Sequence, residues 1–177
     1  ILLEQIYEPI FSENSHGFRP GKSCHSALRQ VKNVWNGTKW IIEFDIKGFF
    51  DNIDHEWMIK FLEHDIADKN FIRYIKRFLI GGVMEDGKRL DTEAGTVQGG
   101  LISPVLANVY LHYTLDTWFD YVKKHEFKGE MYMVRYADDF VCLFQYENEA
   151  QRFYQLLIER LRKFGLEIAE DKSRILP

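Results

Sequence analysis

Cysteine is scarce in this chain, and metal-binding spacing of cysteine with histidine is missing. Cys24 and Cys142 are the two cysteines among 177 residues, and six histidines are scattered. The two thiols are far apart, with no Cys or His partner at zinc spacing, which excludes a disulfide framework and a structural zinc site. Cys142 alternates within an apolar run and is expected to be a small core residue. No apolar run approaches the roughly 18 residues that a membrane span requires, so no membrane partner is expected. A basic-then-apolar targeting pattern and an initiator Met are also lacking. The chain opens on Ile1-Leu2-Leu3-Glu4-Gln5-Ile6, which reads as the middle of an amphipathic helix and predicts a chain cut from a larger protein. These absences fit a reducing, bacterial cytoplasm. Basic excess is missing too. The net charge is −4, whereas a generic nucleic-acid binder is usually basic. Lys and Arg gather only locally, at Arg19, Lys22, Arg29 and Lys32, at Lys69, Arg73, Lys76 and Arg77, and at Arg160, Arg162 and Lys163. Each cluster fits either a nucleic-acid contact or the solvated face of a helix.

What is present suits one soluble domain with a real core, at 46% hydrophobic and 28% charged residues. Helical spacing predicts elements over residues 1 to 11 and from Ser23, a cap, to Asn36-Gly37. Trp40 to Ile46 alternates as a strand, with Trp40, Ile42, Phe44 and Ile46 on one side and Ile41, Glu43 and Asp45 on the other. Asp54 can cap a helix through His64, and another runs from about Asp68 to Ile80. Asp86-Gly87 signals a hairpin turn. Ser103 as cap and Pro104 at the first helical position mark a long helix. Two apolar runs, Met131 to Tyr136 and Phe140 to Phe144, read as a β-hairpin, followed by a helix from Glu147 to Phe164 that Gly165 closes. Leu166 to Ile168 and Ser173 to Leu176 read as short strands. Long helices over a small antiparallel sheet give an α+β domain.

The chemistry concentrates in Tyr136-Ala137-Asp138-Asp139. Two adjacent carboxylates at a hairpin tip repel, and a fold that holds them there usually supplies a cation. Asp45 ends another apolar strand. Three carboxylates on two strand ends can hold a pair of Mg²⁺ ions, which take oxygen ligands and share their shells with substrate phosphates, the standard device for in-line phosphoryl transfer. Five residues beyond Asp45 stands Phe50. One of Phe49 and Phe50 belongs to the core, and Phe49 is given that place, leaving Phe50 as a plate beside the sugar of an incoming nucleotide. In Gly95-Thr96-Val97-Gln98-Gly99-Gly100-Leu101-Ile102-Ser103-Pro104, two consecutive glycines permit close approach of a backbone or a base pair, although a flexible loop before a capped helix fits as well. His16-Gly17-Phe18-Arg19-Pro20-Gly21-Lys22-Ser23 combines a turn, an exposed aromatic and two cations, Arg19 and Lys22, that can grip a phosphate backbone or simply feed the next helix. Lys172 lies in a tight loop where it can serve a phosphate leaving group or remain a surface lysine.

Taken together, H-G-F-R-P-G-K-S, F-D-I-K-G-F-F-D-N-I-D-H, G-T-V-Q-G-G-L-I-S-P-V-L-A-N-V-Y-L, R-Y-A-D-D-F and G-L-E-I-A-E-D-K-S resemble, in order, the blocks of a reverse transcriptase of the group II intron-encoded (maturase) branch. The resemblance implies a polymerase palm with part of the fingers: partial fingers over 1–37, mainly palm over 38–177, and a helical fingers insertion at about 54–80. It implies RNA-directed DNA synthesis with two Mg²⁺ ions, Mn²⁺ being an alternative, and with an RNA template, a primer, a dNTP and group II intron RNA as partners. By the resemblance, Asp45, Asp138 and Asp139 bind metal together with the backbone carbonyl of Ile46, and Phe50 gates the sugar. Gln98, Gly99 and Gly100 support the nascent base pair, and Lys172 serves the pyrophosphate. Val97 departs from the Pro usual before Q-G-G. The family's triphosphate-holding fingers block lies upstream of Ile1 and its thumb downstream of Pro177, so residues 1–177 alone are expected to be inactive. An RNA-binding splicing cofactor, or a retron, diversity-generating or CRISPR-associated reverse transcriptase, are the rival readings. A homodimer is left open.

Overall fold

The computed structural model describes residues 2–80, 95–96 and 102–177, and the backbone of 83–85 and 88–90. Helix α1 spans Leu2–Tyr7, shorter than the expected residues 1 to 11, because Pro9 lies beyond it and cannot donate to a continuing helix. Helix α2, Cys24–Val34, begins at a complete capping box in which Ser23 and Ser26 bond each other's backbone N–H. Strand β1 is Trp40–Phe44. Helix α3, His55–Asp65, is capped by Asp54, whose carboxylate accepts from Trp57 N at 2.9 Å. Helix α4 is Lys69–Ile80, and strands β2 (Val83–Glu85) and β3 (Lys88–Leu90) pair antiparallel. The Asp86-Gly87 turn expected between them lies outside the described residues.

Helix α5, Ser103–Leu111, corrects one expectation. Its cap is Ile102, without a side-chain bond, and Ser103 is already helical. The long helix also widens into a π-helical turn over His112–Asp116 before continuing as α6, Thr117–His125. Strands β4, Met131–Tyr136, and β5, Asp139–Phe144, form the expected hairpin. Helix α7, Glu147–Arg162, leads to Gly165, whose φ of +72° suits a helix stop. Strand β6 is Arg174–Leu176. Leu166–Ile168 is not a strand, and only an isolated bridge joins Ile168 to Ile46.

The sheet order is β4-β5-β1-β6, all neighbours antiparallel. Alternation decides its two faces. Ile42, Phe44, Phe140, Cys142 and Phe144 are buried, and Phe44 stacks on Phe140 at 4.9 Å and meets Phe153 of α7. The opposite face presents Glu43, Asp45, Val141 and Asp139 and is covered only in part, by α2 near β4. Among the described residues no helix is long and apolar enough to cross a membrane.

Candidate active site

The β1–β5 register pairs Phe44 with Phe140. One step further along an antiparallel ladder sets Asp45 opposite Asp139, on the open face. Across the hairpin, Asp139 pairs with Tyr136, leaving Ala137 and Asp138 as a two-residue turn. Ala137 has a φ of +58°. A two-residue hairpin turn requires positive φ at its first central position, and Gly is the usual occupant. An alanine there is strained and needs surrounding structure to hold it.

That support is a buried network that sequence reasoning missed. Arg135, in β4, is fully buried. Its guanidinium binds Asp116 with two of its nitrogens, Nε to Oδ1 at 2.9 Å and Nη2 to Oδ2 at 2.6 Å. Nη1 donates to Asn108 Oδ1 at 3.0 Å and to the carbonyl of Ala137 at 2.8 Å. Asn108 in turn donates to Gly17 O at 2.8 Å, and His16 N and Arg135 N exchange backbone bonds with Arg135 O and Asn14 O. Gly17 lies so close that a Cβ would strike the backbone N of Ala137 and come within 2.9 Å of its Cα. The π-helical turn ends at Asp116, a placement such turns often serve at functional positions. One signal was available: an arginine inside a strongly apolar strand is tolerated only when paired.

An open cleft of about 640 Å³ is lined by Asp45, Ile46, Phe50, Asp138 and Lys172, among others. A second, more apolar cleft of about 590 Å³ lies between α2 and the open sheet face and reaches Asp45, Asp139 and Lys172. The acid group therefore stands between two spaces. Burial first, and then the Asp45 carboxylate, push Asp138 above the usual carboxylate range. Asp139 is raised by burial, then by Asp138, Asp45 and Glu43, with Lys172 partly offsetting them. Lys172 Nζ sits 2.6 Å from Asp45 Oδ2, and this bond raises the lysine's own affinity for its proton.

Hard oxygen donors, mutual repulsion, and an ammonium already acting as counter-charge suit this group to a divalent cation. Among the described residues no three or more His, Cys, Asp or Glu form a ready-made cage for an ion. An ion held by these carboxylates therefore shares its shell with other ligands, as Mg²⁺ commonly does. Ile46 is buried through its side chain, and the two hydrogen bonds of its bridge use Asp45, Lys47, Glu167 and Ala169 instead of its own backbone.

Phe49 is core, 2% exposed, while Phe50 is half-buried and lines the cleft, as alternation of roles between them required. Gln98, Gly99 and Gly100 lie outside the described residues. Ahead of them, Thr96 N donates to Phe50 O at 2.8 Å and Gly95 N to Ile53 O at 2.9 Å. Gly95, with φ of +92°, rests on the backbone of Phe50 and Asp51, and His55 Nε2 bonds its carbonyl.

Arg19 and Lys22 do not join this cleft, and the expectation of free phosphate-gripping cations is corrected. Arg19 is buried and its guanidinium is taken up by the Glu8 carboxylate and by the carbonyls of Ser12 and Ser15. Lys22 pairs with Glu13 at 2.9 Å. Both are the mortar of the loop that presents Gly17 to the hairpin tip.

A family model described as reverse transcriptase (RNA-dependent DNA polymerase) matches residues 1–177. The chain is 49% identical over 112 residues to the group II intron-encoded protein LtrA of Lactococcus lactis subsp. cremoris, a match covering 63% of this chain and 19% of that protein. It is 45% identical over 130 residues to an uncharacterized 91 kDa protein in the cob intron of Schizosaccharomyces pombe, covering 73% of this chain and 16% of the other. In three dimensions it resembles telomerase from Candida albicans, solved in complex with a TWJ fragment of telomeric RNA, with a TM-score of 0.78 at 14% identity over 99% of this chain and 33% of that one. The chain thus spans about a fifth of the length of the curated relatives it matches.

Proposed function

Because this chain belongs to the reverse transcriptase (RNA-dependent DNA polymerase) family, we propose that it holds the catalytic centre of an RNA-directed DNA polymerase encoded by a group II intron, acting in a bacterial cytoplasm. The observation that carries this reading is that Asp45 meets Asp138, from the hairpin turn, at one cleft and Asp139, from the open sheet face, at the other. Residues 1–37 are assigned to the fingers and 38–177 mainly to the palm, with α3 and α4 as a fingers insertion.

Asp45, Asp138 and Asp139, with the Ile46 carbonyl, would hold two Mg²⁺ ions. When bound, such ions stabilise the attacking and leaving oxygens of an in-line displacement. The protein's own share is positioning. The Phe50 ring borders the space for the nucleotide sugar and excludes a 2′-hydroxyl by bulk. Gln98 with Gly99 and Gly100 supports the nascent base pair of template and primer. Lys172, on the same cleft, offers its ammonium to the departing phosphates once Asp45 is otherwise neutralised. The test is primer extension on an RNA template by the intact protein. Asp138→Ala should abolish synthesis and leave the circular dichroism spectrum unchanged. Extension at the parent rate would refute the assignment.

Relatives encoded by introns are also compatible with a second role in the same polypeptide, binding and splicing the intron RNA. A protein with both Asp138→Ala and Asp139→Ala should then still splice its intron, with binding that weakens as salt rises. Splicing lost together with the acids would count against separable roles.

A further inference from the structure

One basic cluster is absorbed by neither the acid cleft nor the loop that supports it. Helix α4 reads K-N-F-I-R-Y-I-K-R-F-L-I, four cations and no acid, in a chain of net charge −4. Its inner face, Ile72, Ile75 and Leu79, is buried, and the helix packs on α3. Its outer face is of another kind. Tyr74 is 62% exposed and Phe78 44%, and a spacing of four residues sets the two rings on one stripe. The Arg73 guanidinium lies 5.8 Å from the centre of the Tyr74 ring. Among the described residues, none of Lys69, Arg73, Lys76 and Arg77 enters an ion pair; the pairs that form involve Arg19, Lys22, Arg135, Arg152 and Lys172.

A merely solvated helix face mixes both charge signs at i,i+4 spacing and gains nothing from two bare rings. A membrane surface wants a broad apolar face, and the apolar face of α4 is already spent on the core. Protein interfaces share the aromatics and arginines of this face but are depleted in lysine, of which it carries two, Lys69 and Lys76. Cations of one sign around stacking rings suit a nucleic-acid strand, whose phosphates take the charges while unpaired bases stack on the aromatics. No α4 residue lines either cleft at the acids. We propose that the outer face of α4 is a second nucleic-acid surface, which binds single-stranded RNA away from the catalytic cleft. The proposal goes beyond the polymerase reading and stands without it.

The test uses the intact protein and a fluorescein-labelled single-stranded RNA of mixed sequence, with anisotropy read over a series of KCl concentrations. Arg73→Gln with Arg77→Gln should lower the slope of log affinity against log salt by about 1.4, from about 0.7 per phosphate contact on a single strand. Tyr74→Ala should weaken binding by roughly 5- to 100-fold, the range of base–aromatic stacking, and Tyr74→Phe should restore it. Primer extension on a short template, measured in parallel, should stay within about twofold of the parent. Unchanged slope and affinity with helix content retained would overturn the proposal. So would variants that change self-association in sedimentation while RNA affinity holds, since α4 would then be a protein contact. A loss of extension without a loss of RNA affinity would place α4 in the cleft and overturn it as well. If the parent itself fails to extend primers, the polymerase reading falls, while the slopes still decide the role of α4.

Discussion

Asp138 and Asp45 meet at one cleft from supports of different kinds. Asp138 stands on a strained turn whose carbonyl is gripped by Arg135, itself locked between Asp116 and Asn108 with no solvent contact. Asp45 stands at a strand end, and its visible partner is Lys172, whose side chain is 66% exposed. An ion pair this open is screened and adds little to folding. The hairpin side is therefore rigid and expensive to disturb, whereas the β1 side can exchange one cation for another without unfolding anything. On the proposed chemistry, a centre that releases pyrophosphate and accepts a new nucleotide in each cycle needs both qualities.

The comparison breaks most visibly at the acids. Asp138→Ala should cut DNA synthesis by roughly 10³-fold or more, the several kcal/mol that a metal's charge stabilisation supplies, while urea unfolding stays two-state with an unaltered slope. Residual synthesis near the parent rate would remove the hairpin from the chemistry. Next in size, Arg135→Leu should lower stability by about 3–5 kcal/mol, because it strands the buried Asp116 carboxylate. Replacing Asp116 by Leu as well should recover most of the urea midpoint. It should not recover the rate, because Ala137 O still lacks its donor. Full recovery of kcat in the double variant would show that the network serves folding alone. By contrast Lys172→Met should leave the urea midpoint where it was.

On the β1 side, Phe50→Val should raise ribonucleotide use far more than it lowers deoxynucleotide use, since it removes bulk and keeps an apolar surface. The measured quantity is the ratio of kcat/KM for dNTP and rNTP; an unchanged ratio in a folded variant would sink the gate. The smallest effect concerns pH. Asp138 and Asp139 both bind protons more readily in the folded chain than in the unfolded one. Stability from this source is fully present below the usual carboxylate range and is lost as pH rises through the raised values. Without divalent ions, Asp138→Asn should therefore melt higher than the parent at pH 7, and the gap should close near pH 3.5. A gap that persists in acid would mean that packing, not charge, separates the two proteins.

Much of this was legible in the sequence because the strong signals are local. Alternation fixed Asp45 to one side of β1, two apolar runs flanked the acid pair, and Asp54 and Ser23 announced their helices. Phe49 was given the core and Phe50, five residues beyond Asp45, the cleft, and the structure places the two rings so. The failures share a cause. Arg19 looked like a phosphate grip because its partners, Glu8 and the carbonyls of Ser12 and Ser15, are brought to it by a loop that no periodicity describes. The Arg135–Asp116–Asn108 network joins residues up to 27 apart, and its link to Gly17 spans 91. The cap at Ile102 instead of Ser103 is an ordinary one-residue slip at a helix end.

The closeness of Gly17 to Ala137 bears on how the protein is born. The loop holding Gly17 leaves the ribosome some 120 residues ahead of the turn it must brace, at about 5–20 residues per second. For many seconds that loop has nothing to brace, and Asp138 and Asp139 have no fixed place. The acid cleft can close only once the β4–β5 hairpin has emerged. The three acids are thus not assembled before the sheet that directs them exists.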